Sequence, residues 1–178
     1  MTIRSMLLEA HSRAQTEAIA AYIGKSEARL NELIGLFLHD EYRVVQRAAW
    51  PLRLVAEKYP RLVEPHLEAM VRRMDDAGIP VSVKRNVVRI LQYVEVPERL
   101  HGPVMDVCFR LLEDVEETVA VRAFSMTVLA NLAITYPDIK NEIVLLIEDQ
   151  LREGATPGFV SRAKKTLQAL SKPEKKKG

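Results

Sequence analysis

Apolar residues recur along this chain at intervals of three and four, and no stretch alternates strictly as a half-buried strand would. In "PRLVEPHLEAMVRRMDD", Leu62, Val63, Leu67, Met70, Val71 and Met74 share one helical face. A break at "DDAGIP" follows, and helical periodicity resumes in "VSVKRNVVRILQYV". Carried along the chain, the pattern predicts nine helices, over residues 4–23, 26–38, 41–59, 61–76, 80–95, 98–114, 117–135, 137–153 and 157–171. The links are short, so neighbouring helices are expected to pack antiparallel.

The helices repeat as pairs. "VVQRAAWPL", "SVKRNVVRIL", "VAVRAFSMTVL" and "FVSRAKKTLQAL" align on Arg47, Arg85, Arg122 and Arg162, at intervals of 38, 37 and 40 residues. Prolines run in step at Pro60, Pro97, Pro137 and Pro173, each just after the helix holding the arginine. A proline suits the first turn of a helix, where its missing N–H has no partner to lose. Two helices per period of about 38 residues describe a stacked α-solenoid, in which each unit covers the apolar face of its neighbour. The last helix, "SRAKKTLQAL", is more polar than its counterparts, as expected of a unit whose outer face stays uncovered.

Residues 26–171 resemble the HEAT-repeat family. Pro65 and Pro103 stand where HEAT units often carry a proline in the first helix, and Val121–Arg122 matches the valine–arginine pair of the second. The resemblance implies an all-α superhelix of four antiparallel pairs plus an N-terminal helix, within a single domain over residues 1–171. It also implies a ladder of acidic residues six positions before the repeat arginines. Glu41 before Arg47 and Glu116 before Arg122 fit that ladder, whereas Ile79 and Thr156 at the same offset do not.

The one tryptophan lies in "QRAAWPLRL". Val45, Ala48, Ala49, Leu52, Val55 and Ala56 form an apolar arc, and Trp50 faces away from it among Arg43, Gln46, Arg53 and Glu57. Two readings stay open: the indole packs between neighbouring units, or it projects into a binding groove, where Trp and Arg are the commonest hot-spot residues. Pro51 removes a helical hydrogen bond and presses on the Arg47 carbonyl, which predicts a kink. Aligning the repeats draws a line along the second helices through Trp50, Val88, Ser125 and Lys165, flanked by Gln46, Arg53, Lys84, Arg89 and Gln92. This line is the expected partner-binding surface.

Composition narrows the chemistry. The net charge of +2 arises in the tail "KPEKKKG", residues 172–178; the remainder holds 22 basic and 23 acidic side chains. A neutral body argues against binding dominated by phosphate contacts. A basic zone of Arg43, Arg47, Arg53, Lys84, Arg85 and Arg89 nevertheless keeps a nucleic-acid reading open. HEAT-like alkylpurine DNA glycosylases hold duplex DNA on such a surface, but this chain lacks their aromatic cluster. The four histidines are scattered, Cys108 lies in the apolar stretch "VMDVCFRLL", and no phosphate loop or nucleophile motif occurs. No catalytic, metal or cofactor site is therefore expected. The acidic run "EDVEET", residues 113–118, reads as a turn that caps the next helix. A single cysteine suits a reducing cytoplasm, and no apolar run reaches the ~20 residues of a membrane span. The expected protein is a non-enzymatic adaptor that binds a protein or peptide. The runner-up is a nucleic-acid binder, and the oligomeric state stays open.

Overall fold

Every regular element in residues 1–173, the part that the structure (a computed structural model) describes, is helical. The elements are α1 (Ile3–Glu9), α2 (Arg13–Ile23), α3 (Glu27–His39), α4 (Tyr42–Lys58), α5 (Pro60–Val63), α6 (Leu67–Arg73), α7 (Val81–Leu91), α8 (Glu98–Glu113), α9 (Val119–Ala133), α10 (Lys140–Arg152) and α11 (Pro157–Leu170). One-turn 3-10 segments, Glu64–His66 and Pro137–Ile139, precede α6 and α10. The basic tail, from residue 174 onward, lies outside the described residues. Contacts divide the chain into two compact units that meet between Leu100 and His101.

The first unit is organised around α4, which packs against α1, α2, α3 and α7. The sequence of α4 explains why. Val44, Val45, Leu52 and Val55 alternate with Ala48, Ala49 and Ala56, all buried, so apolar surface is wide and small residues let neighbours approach. Pro51 is buried on the same side, and α4 runs unbroken from Tyr42 to Lys58 across it. Pro65 behaves differently. Only the single turn Pro60–Val63 precedes it, and the chain tightens to 3-10 geometry over Glu64–His66.

The predicted helix 4–23 is two helices. Ala10 is extended, and Ser12 caps α2 by accepting from the Gln15 N–H at 3.1 Å. The carbonyls that α1 leaves open take side-chain donors: Gln15 Nε2 reaches Met6 at 2.8 Å, and Arg47 Nη1 reaches Leu7 and Leu8 at 3.0 and 3.1 Å. At the other end of α1, Arg4 holds the Asp40 carboxylate (3.1 Å) at the end of α3, and that hydrogen bond keeps the Asp40 pKa below its ordinary value. Gly24 ends α2 at φ +50, where a side chain would be strained.

In the second unit α9, α10 and α11 pack on one another. Val121, Met126, Leu129, Ile143, Ile147, Phe159 and Ala163 are buried there. Gln150 joins the helices: Nε2 donates to the Leu112 carbonyl near the end of α8, and Oε1 accepts from Arg122 Nη1 at 2.9 Å. The Arg122 guanidinium lies 4.8 Å from the Phe159 ring centre. Thr118 caps α9 by accepting from Val121 N, so within the acidic run the cap is the threonine. Cys108 is fully buried, as its apolar setting predicts, and burial pushes its thiol up to about 12.

Two outcomes are expected. Gln150→Leu leaves the Leu112 carbonyl and the Arg122 guanidinium short of a partner, so urea unfolding should show a loss of about 1–3 kcal/mol. For Cys108, the unfolded thiol ionises from its ordinary value of 9.0 while the native one stays neutral to about 12. Its contribution is complete below the unfolded value and declines as pH rises toward the folded one. Cys108→Val should flatten the alkaline loss of stability by up to about 1.4 kcal/mol per pH unit.

A basic–aromatic groove between two second helices

In the first unit a groove of about 520 Å³ runs between α4 and α7, with His11 from the α1–α2 link on its edge. The α4 wall is Tyr42, Gln46, Ala49, Trp50 and Arg53; the α7 wall is Val81, Ser82, Arg85, Asn86 and Arg89. Its lining holds three arginines and no carboxylate.

Trp50 is half-buried, and His11 meets its ring edge-on with centroids 6.1 Å apart. Tyr42 and Val81, in the first turns of α4 and α7, are 67% and 56% exposed, so apolar surface faces solvent beside the indole. Asn86 is buried and donates to the Ser82 carbonyl at 2.7 Å, fixing the floor of the α7 wall. Arg53 pairs with Glu57 one turn on, at 3.4 Å. Arg85 is exposed and makes no hydrogen bond or ion pair among the described residues.

The structure brings together Trp50, Gln46, Arg53 and Arg89 of the expected surface. Lys84 and Gln92 lie outside the lining, the latter donating to the Arg89 carbonyl at 3.2 Å. Lys165 is exposed on α11, in the second unit. Val88 and Ser125 are corrections: both are fully buried, and the Ser125 hydroxyl donates to the Val121 carbonyl at 2.7 Å. The line through aligned positions is therefore not a surface. α7 and α9 bury a wider arc than the position of Trp50 on α4 implied.

The acidic ladder is a second correction. Glu41 approaches Arg4 at 3.4 Å, and Glu116 is exposed, its N–H bound to Asp114 Oδ1. Arg47 caps α1, Arg122 binds Gln150, and Arg162 Nη1 binds Thr127 Oγ1 at 2.8 Å. A residue six before the arginine sits at the helix entrance and points elsewhere. Sequence reasoning missed His11, Tyr42, Val81, Ser82 and Asn86. The Ser12-x-x-Gln15 spacing of a capping box was the available signal that His11 lies in a link.

Among protein families, the HEAT repeat domain matches residues 3–170. The chain belongs to the HEAT repeat family. The match begins at the first residue of α1 and ends with α11, so it spans both units. No curated protein and no solved structure matches the chain. No described helix is long and apolar enough to cross a membrane.

HEAT units bury their helices against neighbours, and Trp50 is buried on part of its surface only. Trp50→Ala is therefore expected to cost about 1–2 kcal/mol in urea unfolding, below the ~3–5 kcal/mol of a tryptophan wholly in a core. A loss in that upper range would make the indole a packing residue and remove it from the groove's binding surface.

Proposed function

We propose that this HEAT repeat chain is a non-enzymatic scaffold that docks a segment of a partner protein in the α4–α7 groove. The carrying observation is the company that Trp50 keeps: a half-buried indole beside exposed Tyr42 and Val81, with arginines along both walls. Interfaces draw most of their energy from such aromatic and arginine anchors once a partner seals them from water. The lone, buried thiol fits a reducing cytoplasm.

The nucleic-acid reading draws on Arg43, Arg47 and Arg53 of α4 and Lys84, Arg85 and Arg89 of α7. Arg47 is committed to the α1 carbonyls and Arg53 to Glu57, and Lys84 and Arg89 have partners as well. That leaves a short basic patch, poorly suited to neutralising a run of phosphates.

Peptides selected from a random display library on the wild-type chain should bind Trp50→Ala at least about tenfold more weakly. Peptides that bind both chains equally would remove the groove as the docking site. Labelled duplex DNA, read by anisotropy over a salt series with a chain ending at Ser171, tests the runner-up. Tight, steeply salt-dependent binding that Arg85→Glu abolishes would replace the scaffold reading.

A further inference from the structure

The chemistry of the docked segment follows from the α7 wall, and this inference rests on the groove being a docking site. Arg85 and Arg89 stand one helical turn apart, and both line the groove. Side chains at that spacing lie about 5–6 Å apart. An extended peptide places alternate residues about 6.5–7 Å apart on one side, close to that pitch. Carboxylates two residues apart can thus each meet a guanidinium, whereas adjacent carboxylates point to opposite sides.

Two further features favour an anionic occupant, and a third favours a peptide backbone. The lining carries no carboxylate to repel one, and the described carboxylate partner of Arg53, Glu57, lies outside the lining. Arg85, near the middle of α7, has no partner of its own among the described residues. The Trp50 indole N–H likewise makes no hydrogen bond among the described residues, so it can donate to a peptide carbonyl. Across from the arginines, on the α4 wall, Trp50 and Tyr42 offer apolar surface for a side chain between two acids.

We propose that the α4–α7 groove binds an extended acidic segment of a partner protein, with carboxylates at alternate positions on Arg85 and Arg89 and an apolar side chain between them against Trp50. Guanidinium–carboxylate contacts of this kind are charge-assisted and directional. Discrimination by spacing therefore comes from geometry, and affinity falls with salt.

The test uses the full chain and labelled peptides with a Glu-Leu-Glu core between serine–glycine flanks. Controls carry Gln-Leu-Gln or Glu-Glu-Leu at the centre. Binding is read by anisotropy and by the emission of Trp50, the chain's one tryptophan. Glu-Leu-Glu should bind and shift the Trp50 emission, and both controls should bind at least about tenfold more weakly. Arg85→Glu should lose a similar factor, and Arg85→Gln should do so without reversing charge; Arg85 is exposed, so unchanged far-ultraviolet dichroism checks the fold.

Gln-Leu-Gln binding as well as Glu-Leu-Glu would overturn the acidic occupant while leaving the groove a docking site. Equal binding of Glu-Glu-Leu would overturn the alternate spacing. Failure of all three peptides, alongside display-selected peptides that need Trp50, would overturn the inference alone. Failure of all peptides together with Arg85-dependent binding of duplex DNA would overturn both it and the scaffold reading.

Discussion

A helix leaves its last carbonyls without intrahelical donors, and in this protein several of those carbonyls are satisfied by a side chain one repeat away. Arg47 donates to Leu7 and Leu8 at the end of α1, Arg73 Nε to Leu38 at the end of α3 (3.0 Å), and Gln150 to Leu112 in the last turn of α8. Links of two to five residues leave little chain for a local cap. These three helix ends instead draw a donor from a neighbouring helix. Packing and polar satisfaction therefore reinforce one another, because the neighbour that covers an apolar face also brings the donor.

The repeat arginines show how one sequence position serves two purposes. Arg47, Arg122 and Arg162 are each held by a specific acceptor, and the last two also lie near the faces of Phe159 and Phe124. Arg85 occupies the same place in its own unit but reaches into the groove unpaired among the described residues. The candidate site arises where the repeat departs from its own rule. Trp50 and Pro51, which no other unit carries, stand on the opposite wall and in the adjoining core.

Helical class, period and pairing were legible because they rest on periodicity, which a single sequence states outright. The 4–23 helix was misread because nothing in "LLEAHSRAQ" breaks a helix by propensity. The Ser12-x-x-Gln15 spacing was the one local signal, whereas the Arg47 donor that meets the opened carbonyls lies about forty residues away in the chain. The groove was half legible. The polar face of α4 gave Gln46, Trp50 and Arg53, but aligning repeats carried that face onto Val88 and Ser125, which are core. Alignment preserves position along the helix; it does not preserve how much of the helix its neighbours cover.

The separations between donor and carbonyl are 40 and 39 residues for Arg47, 35 for Arg73 and 38 for Gln150, each about one repeat. A stretch of this length duplicated in register would arrive with its own donor and offer its own acceptor. For these donors, though not for Arg85, the polar partner of one repeat is supplied by the next. A cut through the middle of a unit separates a guanidinium from its carbonyls, so the grain along which this gene can be edited by evolution is set by its hydrogen bonds.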